Sequence, residues 1–240
     1  MSHAPFLILE TGTPLPALRR HGGFAHWIRV AAGLHARQTV TCRVADGEPL
    51  PTAEGWRGVL ITGSGAMVTE RRPWSEASAS WLREAGARGV PLFGICYGHQ
   101  LLAHAFGGEV GDNPQGREMG TATVELHDPA RHDPLFGTMP ARFAAQTTHL
   151  QTVLAPPPGA TVLARSSRDA CQAFRLGEHT WGVQFHPEFS STMMRGYIAG
   201  RAAALHAEGT DARHLHRAVR PTPLARRVLA RFVRHAQRHR

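Results

Sequence analysis

The residue of this chain best placed to act as a nucleophile is Cys96, which lies between Gly94 and Gly98. A short apolar run at 90–93 precedes this motif, and residues 101–106 follow it at helical spacing. Strand, Gly-x-Cys-x-Gly and helix together predict a sharp turn that exposes the thiol at the helix N-terminus. The helix dipole at that position favours a thiolate. The same residues also fit a buried core cysteine beside an ordinary strand-to-helix turn.

A general base and a group that could orient it occur together in His186-Pro187-Glu188. Residues two apart on an extended segment point the same way, so the imidazole and the carboxylate can be presented together. The proline between them is best placed at the end of a strand. In such a pair the imidazole accepts the proton of a thiol and the carboxylate fixes its tautomer. Because the chain has 16 histidines, an isolated His-Pro-Glu also fits a surface or core histidine.

In combination, these motifs resemble the class I glutamine amidotransferases of the Cys-His-Glu type. The first motif continues to Gln100, four residues after the cysteine, and residues 185–188 read Phe-His-Pro-Glu. A third segment, Gly63-Ser64-Gly65, follows the strand before the elbow, where the family places an oxyanion loop. The order of the three motifs matches the family over roughly residues 5–195. The resemblance implies a cysteine amidohydrolase of this superfamily.

The resemblance also implies a catalytic triad. Cys96 would attack the side-chain amide of the substrate and form a γ-glutamyl thioester. His186 would pass the proton to the departing ammonia and later take one from water, and Glu188 would orient His186. The implied product is glutamate.

The remaining motif residues would bind the substrate. Backbone N–H groups of Tyr97 and of Gly63-Ser64-Gly65 would stabilise the tetrahedral oxyanion, as the resemblance implies. Gln100 would help to hold the amino-acid end of the substrate or its loop.

Other segments look like the glutaminase domain of GMP synthase and its free-standing relatives. They are Gly108-Glu109-Val110, Gly120-Thr121 and Asp133-Pro134-Leu135-Phe136. In many relatives the segment at 149–153 reads His-x-Asp-x-Val, but here Gln151 replaces the acid. No ATP-pyrophosphatase segment is recognisable after the motifs. We therefore expect either a separate synthetase partner or a stand-alone γ-glutamyl hydrolase.

The elements that must position these residues alternate along the first half of the chain. Strands are predicted at 6–9, 39–44, 59–62 and 90–93, and helices at 23–34 and 75–85. Shorter antiparallel strands are predicted at 121–126, from 143, at 161–164 and at 172–176. A helix is predicted at 192–207, after the extended segment of the second motif. This order predicts a flavodoxin-like α/β fold, with a mainly parallel central sheet, helices on both faces and a small antiparallel subsheet.

The positive charge is concentrated at the C-terminal end. The chain has no lysine, which excludes lysine Schiff-base and P-loop chemistry. Residues 201–240 hold ten arginines against Glu208 and Asp211, a net charge of +8 out of +9 for the whole chain. We therefore predict an amidotransferase domain at 1–207 and an Arg-rich helical extension at 208–240. A helix starting at Thr222-Pro223 is expected to dock through an apolar stripe; an acidic partner, an anionic membrane surface or RNA are alternatives for its basic face.

Several classes of protein do not fit the composition. The three cysteines are scattered and form no CxxC, which indicates a reduced, cytoplasmic setting. No segment reads as a secretory signal or a membrane span. No cofactor is expected, and the spacing of histidines and cysteines predicts no metal site. Binding of nucleic acid is not expected, because the basic tail has almost no interleaved aromatic residues.

Three functions remain open at this point. The first is hydrolysis of L-glutamine, with ammonia passed to a separate synthetase. The second is hydrolysis of another γ-glutamyl compound by the chain alone. The third is a non-catalytic binding protein that uses the Arg-rich tail, which the intact triad argues against. A homodimer is compatible with all three.

Overall fold

A computed structural model describes residues 4–239, and a nine-stranded sheet lies at the centre of this part of the chain. The strands are β1 Phe6–Leu9, β2 Thr39–Cys42, β3 Gly58–Ile61, β4 Leu92–Ile95, β5 Glu109–Asp112, β6 Glu118–Leu126, β7 Arg142–His149, β8 Gln151–Ala155, β9 Thr161–Arg165, β10 Ala173–Leu176 and β11 Thr180–Val183. The helices are α1 Phe24–Ala32, α2 Pro73–Ala87, α3 Tyr97–Ala105, α4 Ser191–Gly200, α5 Ala202–Ala207, α6 Ala212–Ala218 and α7 Pro223–Arg238. Short 3₁₀ helices span Pro16–His21, Ala36–Gln38, Val44–Asp46, Val68–Glu70 and Asp128–His132. None of the helices in residues 4–239 is long and apolar enough to cross a membrane.

The strand order of the main sheet is β2-β1-β3-β4-β11-β10-β9-β6-β7. The first five strands of this order run parallel, and the other four continue the sheet in antiparallel pairs. The predicted α/β fold with a mainly parallel sheet is therefore confirmed. The shorter predicted strands extend the main sheet, whereas the small separate antiparallel sheet is formed by β5 and β8, which the sequence pattern did not reveal.

Helices cover both faces of the parallel strands, as the apolar run of β1 requires. Phe6 and Ile8 of β1 belong to one core cluster, which includes side chains of α1 and α7. Leu7 and Leu9 belong to the opposite cluster, with side chains of α2 and α3. Since successive strand residues point to opposite faces, both sides of the strand are buried by packing against helices.

The helix predicted at 192–207 is wrong in one respect, because it is broken. The chain forms α4 up to Gly200 and starts α5 at Ala202. Arg201 leaves helical geometry at φ −110° and ψ 11°. A methyl group at Gly200 would lie only 2.7 Å from Cδ1 of Leu15, so the glycine allows the chain to approach that side chain closely. Glycine also has a low helix propensity, which favours a break here.

The sequence predicts that His186 and Glu188 lie on an extended segment with Pro187 at the end of a strand, but strand β11 already ends at Val183. Beyond it, His186 is paired with Gln146 of β7 only by an isolated bridge. Pro187 has no N–H with which to continue a ladder, so the chain turns after His186. The turn places His186 and Glu188 just beyond the end of the strand.

The C-terminal helix α7 packs against the central sheet. Its side chains Val228, Leu229, Phe232 and Val233 are buried. The ring centroid of Phe232 lies 5.1 Å from that of Phe93 in β4. The predicted apolar stripe is thus part of the main core, and the predicted division of the chain between 207 and 208 stays a prediction.

Replacing Phe232 by alanine is expected to destabilise the protein by about 3–5 kcal/mol, because it removes a buried ring and leaves a cavity. The exposed Arg234 on the same helix provides the control, since Arg234→Ala is expected to change stability by no more than about 0.5 kcal/mol. Urea unfolding followed by tryptophan fluorescence measures both changes. Equal stabilities for the two variants would mean that α7 is not packed on the sheet as described.

Candidate active site

Cys96 lies at the junction of β4 and α3 in a backbone conformation that few residues adopt. Its φ is 52° and its ψ is −102°, and its N–H donates to the carbonyl of Val183 in β11 at 2.8 Å. A side chain held at positive φ costs free energy and persists only when the surroundings enforce it. The predicted sharp turn is therefore present, with Cys96 as the N-cap of α3. The predicted exposure of the thiol is wrong, because Cys96 is buried at the wall of a narrow cleft.

The two glycines of the elbow are required because the turn is tightly packed. A methyl group at Gly94 would overlap the carbonyl of Gly98, and one at Gly98 would lie 2.6 Å from the carbonyl oxygen of Ile61 in β3. The N–H of Gly98 donates to the carbonyl of Thr62 at 3.1 Å, which ties the start of α3 to the end of β3. The close approach of helix and sheet thus fixes the position of the thiol.

His186 and Glu188 form a buried pair. Nδ1 of His186 lies 2.8 Å from Oε1 of Glu188, and both side chains are almost fully shielded from solvent. The N–H of His186 donates to the carbonyl of Gln146 at 2.8 Å, which holds the backbone in place. Nε2 of His186 is free of the carboxylate and has no hydrogen-bond partner among the described residues, and the Cys96 sulfur is close enough to act on the imidazole electrostatically. The structure brings the three predicted triad residues together.

The electrostatic surroundings of His186 favour its protonated form. Burial by itself lowers the pKa of His186, but the nearby Glu188 carboxylate and the Cys96 sulfur outweigh burial and raise the pKa. An opposite charge close to an imidazole stabilises the imidazolium. The His186–Glu188 pair can therefore hold a proton on the imidazole, beside the Cys96 sulfur.

An aromatic stack fixes the plane of the imidazole, and sequence reasoning missed it. The ring of Phe189 stacks on His186 with a centroid distance of 4.1 Å and an interplanar angle of 23°. Phe189 also contacts Tyr197 of α4 at 5.0 Å and the ring of Phe24 in α1 at 6.5 Å. The only signal in the sequence is an aromatic residue directly after the His-Pro-Glu motif.

The predicted oxyanion loop lies against the triad. A methyl group at Gly63 would lie 3.2 Å from Cε1 of His186 and 3.8 Å from Cβ of Cys96. Two buried hydroxyls hold this loop. That of Thr11 donates to the carbonyl of Thr62 at 2.9 Å, and that of Thr62 donates to the carbonyl of Gly63 at 2.9 Å. Thr11 and Thr62 were not predicted, because nothing in the local pattern distinguishes them from other threonines at strand ends.

The other predicted oxyanion residues also surround the thiol. Ser64 and Gly65 line the same cleft as Cys96. Tyr97 is the first residue of α3, so its N–H has no carbonyl partner within the helix. The Tyr97 hydroxyl lies 2.6 Å from Oγ of Ser75, away from the thiol. Burial raises the pKa of Tyr97 to about 12, so its phenol stays neutral.

Gln100 lies behind the cleft. Its Nε2 donates to the carbonyl of Gln151 at 2.7 Å and to Oε1 of Gln184 at 2.9 Å. These bonds link α3 to β8 and to the segment after β11. Gln151, which replaces the family's acid, donates from Nε2 to Oγ1 of Thr69 at 2.7 Å and to Oδ1 of Asp112 at 3.0 Å. In this position Gln100 holds loops of the protein; its contact with a substrate stays a prediction.

The cleft around the thiol is narrow, with a volume of about 50 Å³. Its lining includes six residues that the sequence did not indicate as site residues: Thr13, Leu15, Phe24, Thr148, Tyr197 and Arg201. Within residues 4–239, no group of three or more histidine, cysteine, aspartate or glutamate side chains is arranged to hold a metal ion. The reactive groups of the cleft are the Cys96 thiol and the His186 imidazole, and hydroxyl side chains and the Arg201 guanidinium lie around them.

Glu188→Gln is expected to lower the pKa of His186, because it removes the negative charge 2.8 Å from Nδ1. A ¹H–¹⁵N titration of the imidazole measures the shift. Glu178→Gln is the control: it removes an exposed carboxylate beside His179 and should leave the titration of His186 unchanged. An unchanged His186 pKa in Glu188→Gln would contradict the assigned cause.

The same pair predicts a pH dependence of stability. The pKa of His186 is higher in the folded than in the unfolded chain. Its protonated form therefore contributes stability that is present below the unfolded pKa and is lost as the pH rises through the folded pKa. The free energy of unfolding of the wild type is expected to exceed that of Glu188→Gln by less as the pH rises through the folded pKa of His186. Urea unfolding at each pH measures this difference. An advantage that grows with rising pH would contradict this sign.

Comparison with known proteins places this geometry in a family. The model of the family Glutamine amidotransferase class-I matches residues 29–202. GMP synthase (glutamine-hydrolyzing) of Thermomicrobium roseum is 42% identical over 142 residues, which are 59% of this chain and 25% of that protein. Gamma-glutamyl-L-1-hydroxyisopropylamide hydrolase of a Pseudomonas species is 35% identical over 175 residues, 69% of this chain and 59% of that protein.

A solved structure extends the agreement to the whole fold. A glutamine amidotransferase from Thermotoga maritima superposes with a TM-score of 0.77 and 22% identity, covering 99% of this chain and 100% of that chain. The matched region spans only about a quarter of the length of the GMP synthases. Since the family model covers most of the sequence, from the first helix through the triad, the chain belongs to the class-I glutamine amidotransferase family.

Proposed function

We propose that this protein hydrolyses the side-chain amide of L-glutamine to glutamate and ammonia, with Cys96 as nucleophile. The observation that carries the proposal is the position of Cys96. It is held at positive φ beside an imidazole whose other nitrogen is fixed by Glu188. A positioned thiol, a base and an orienting carboxylate are the groups that acyl transfer from an amide requires. Membership of the glutamine amidotransferase family supports L-glutamine as the substrate.

In the proposed mechanism the Cys96 thiolate attacks the amide carbon. The oxyanion that forms accepts hydrogen bonds from the N–H of Tyr97 and from the loop at Gly63-Ser64-Gly65. Protonated His186 gives its proton to the leaving nitrogen, so the C–N bond breaks and ammonia departs. The neutral imidazole then takes a proton from water, which attacks the γ-glutamyl thioester. Cleavage of the C–S bond releases glutamate and regenerates the thiolate opposite protonated His186.

A second candidate is hydrolysis of a larger γ-glutamyl compound by the same triad. It is favoured by the Pseudomonas hydrolase, of which this chain matches a much larger share than it does of the GMP synthases. The bond cleaved would again be the γ-amide, and only the leaving group would differ. The two functions are therefore distinguished by substrate preference and not by the catalytic groups.

The destination of the ammonia is a further part of the proposal. A separate synthetase would receive it, as the similarity to one portion of the GMP synthases suggests.

The three free cysteines fit a reducing, cytoplasmic setting. A homodimer is the proposed assembly, which sedimentation of the purified protein tests. The third hypothesis, a non-catalytic role of the Arg-rich tail, has no support from the site.

The first prediction concerns turnover. Purified protein is expected to release glutamate and ammonia from L-glutamine in equal amounts, and Cys96→Ala is expected to abolish the release. A panel of γ-glutamyl amides measured in parallel distinguishes the second candidate. Faster cleavage of a larger γ-glutamyl compound would favour a stand-alone hydrolase.

Absence of turnover would be resolved by a glutamine-analogue electrophile. Covalent addition at Cys96, located by peptide mass spectrometry, would indicate a competent nucleophile that needs a partner. Neither turnover nor labelling of Cys96 would contradict the proposed function.

A second prediction tests the oxyanion loop. Gly63→Ala is expected to lower kcat by about tenfold or more, because the added methyl group presses on His186 and a small displacement of a catalytic group is costly. Its free energy of unfolding, measured in urea, is the control, and a change below about 1 kcal/mol is expected for such a limited displacement. Full activity in Gly63→Ala would mean that the loop is not part of the reacting geometry.

A further inference from the structure

Arg201 lies in the wall of the cleft that contains Cys96 and His186, although it belongs to none of the motifs. We propose that its guanidinium binds a carboxylate of the γ-glutamyl substrate, either the α-carboxylate of the glutamyl part or one on the leaving group. This inference rests on the proposed function, because it concerns the substrate of the same thiol. Four observations lead to it.

The first observation is the charge of the cleft. Among the described residues that line it, Arg201 is the only arginine, and the chain has no lysine. The remaining lining, apart from the catalytic pair, is hydroxyl, aliphatic, aromatic or glycine. A substrate anion that enters this cleft therefore has one permanent cation to meet. The imidazole of His186 is already paired with Glu188.

The second observation is that the guanidinium is incompletely paired. Nε of Arg201 is buried and has no hydrogen-bond partner in the described part of the chain. No ion pair joins Arg201 to a carboxylate of residues 4–239. A buried donor without a partner costs free energy, and a charged one costs more. Because Nε is shielded from solvent, a ligand in the cleft would meet the terminal nitrogens of the guanidinium, which form no hydrogen bond or ion pair with residues 4–239.

The third observation is that the nearby carboxylates are already occupied. Glu208 is close enough for Arg201 to help lower its pKa, but its larger interaction is with Arg117. Nε and Nη2 of Arg117 each lie 2.9 Å from an oxygen of Glu208. Glu188 is held by His186 at 2.8 Å. The protein therefore keeps its own acids engaged and leaves Arg201 free to bind an external one.

The fourth observation is that the backbone of Arg201 is fixed at the break between α4 and α5. Its N–H donates to the carbonyl of Tyr197 at 3.0 Å. The neighbouring Gly200 packs tightly on Leu15. Since Tyr197 and Leu15 also line the cleft, the side chain starts from a rigid part of its wall. A planar guanidinium on such a base can form two parallel hydrogen bonds with a carboxylate.

Two carboxylates could be bound in this way. Every L-γ-glutamyl compound has an α-carboxylate on its glutamyl part, whereas only some have a second carboxylate on the leaving group, as in γ-glutamylglycine. Both sources present the same chemistry to Arg201. Substrates that lack one or the other distinguish them.

The test compares the wild type with Arg201→Gln and Arg201→Lys. The control is Arg213→Gln, which removes an exposed guanidinium on α6, outside the cleft. Loss of a charge-assisted contact is expected to raise KM in Arg201→Gln by about 10- to 100-fold for substrates that carry the bound carboxylate, with kcat changed by less than about threefold. Arg201→Lys is expected to reverse part of this rise in KM, because lysine keeps the positive charge but lacks the planar group that can form two parallel hydrogen bonds.

The substrate panel assigns the carboxylate. An α-carboxylate contact predicts equal KM penalties for L-glutamine and γ-glutamylmethylamide, and no penalty for L-glutamine α-amide. A leaving-group contact predicts a penalty confined to γ-glutamylglycine. Equal penalties for substrates with and without carboxylates would overturn the inference, as would a loss in kcat alone.

A binding measurement separates this inference from the proposed function. Calorimetry with Cys96→Ala protein is expected to detect L-glutamine or γ-glutamylglycine, and the added Arg201→Gln substitution is expected to weaken that binding about tenfold or more. If neither turnover nor labelling of Cys96 is found but this binding difference is, the proposed hydrolysis is wrong and the carboxylate site stands. If Cys96→Ala binds neither compound, or binds them equally with and without Arg201, the inference fails.

Discussion

The site depends on how closely α3 approaches the end of β3 and β4. At Gly94 and Gly98 there is no space for even a methyl group, so the helix begins within hydrogen-bonding distance of the sheet. This approach holds Cys96 at a positive φ and places its side chain at the wall of the cleft. The N-terminus of α3 then faces the place where negative charge would develop, first on sulfur and then on the oxyanion. The packing of the backbone thus places the positive end of the α3 dipole where negative charge would develop.

The base is held by contacts from several directions. Strand β11 ends at Val183, just before the cleft, and the imidazole of His186 is positioned by contacts with other elements. The N–H of His186 donates to the carbonyl of Gln146, which fixes its main chain, Glu188 fixes Nδ1, and Phe189 fixes the plane of the ring. Since the pair is buried, the carboxylate acts on the imidazole with little screening by water. The raised pKa of His186 and its orientation therefore have the same structural origin.

The cleft also brings together parts of the chain that are remote in sequence. Arg201 reaches it because α4 breaks after Gly200, and Thr148 reaches it from β7. Helix α7 closes the core through Phe232, while most of its arginines are exposed. Most arginines of the C-terminal residues therefore lie on exposed surfaces, whereas the guanidinium of Arg201 lines the cleft of the candidate nucleophile.

The sequence by itself determined the elbow around Cys96, the His186–Glu188 pair and the family, because these depend on residue types at short, fixed spacings. It also indicated most strands of the sheet, since buried strands are short apolar or alternating runs. It did not reveal β5, β8, the break at Gly200, or the supporting residues Thr11 and Phe189. Each of these is defined by a partner far along the chain, and ordinary residue types carry no local mark of such a partner. Only the tertiary structure could show that Gln100 is satisfied by Gln151 and Gln184 while Arg201 is left with an unpaired donor, because burial and pairing are properties of the packed chain.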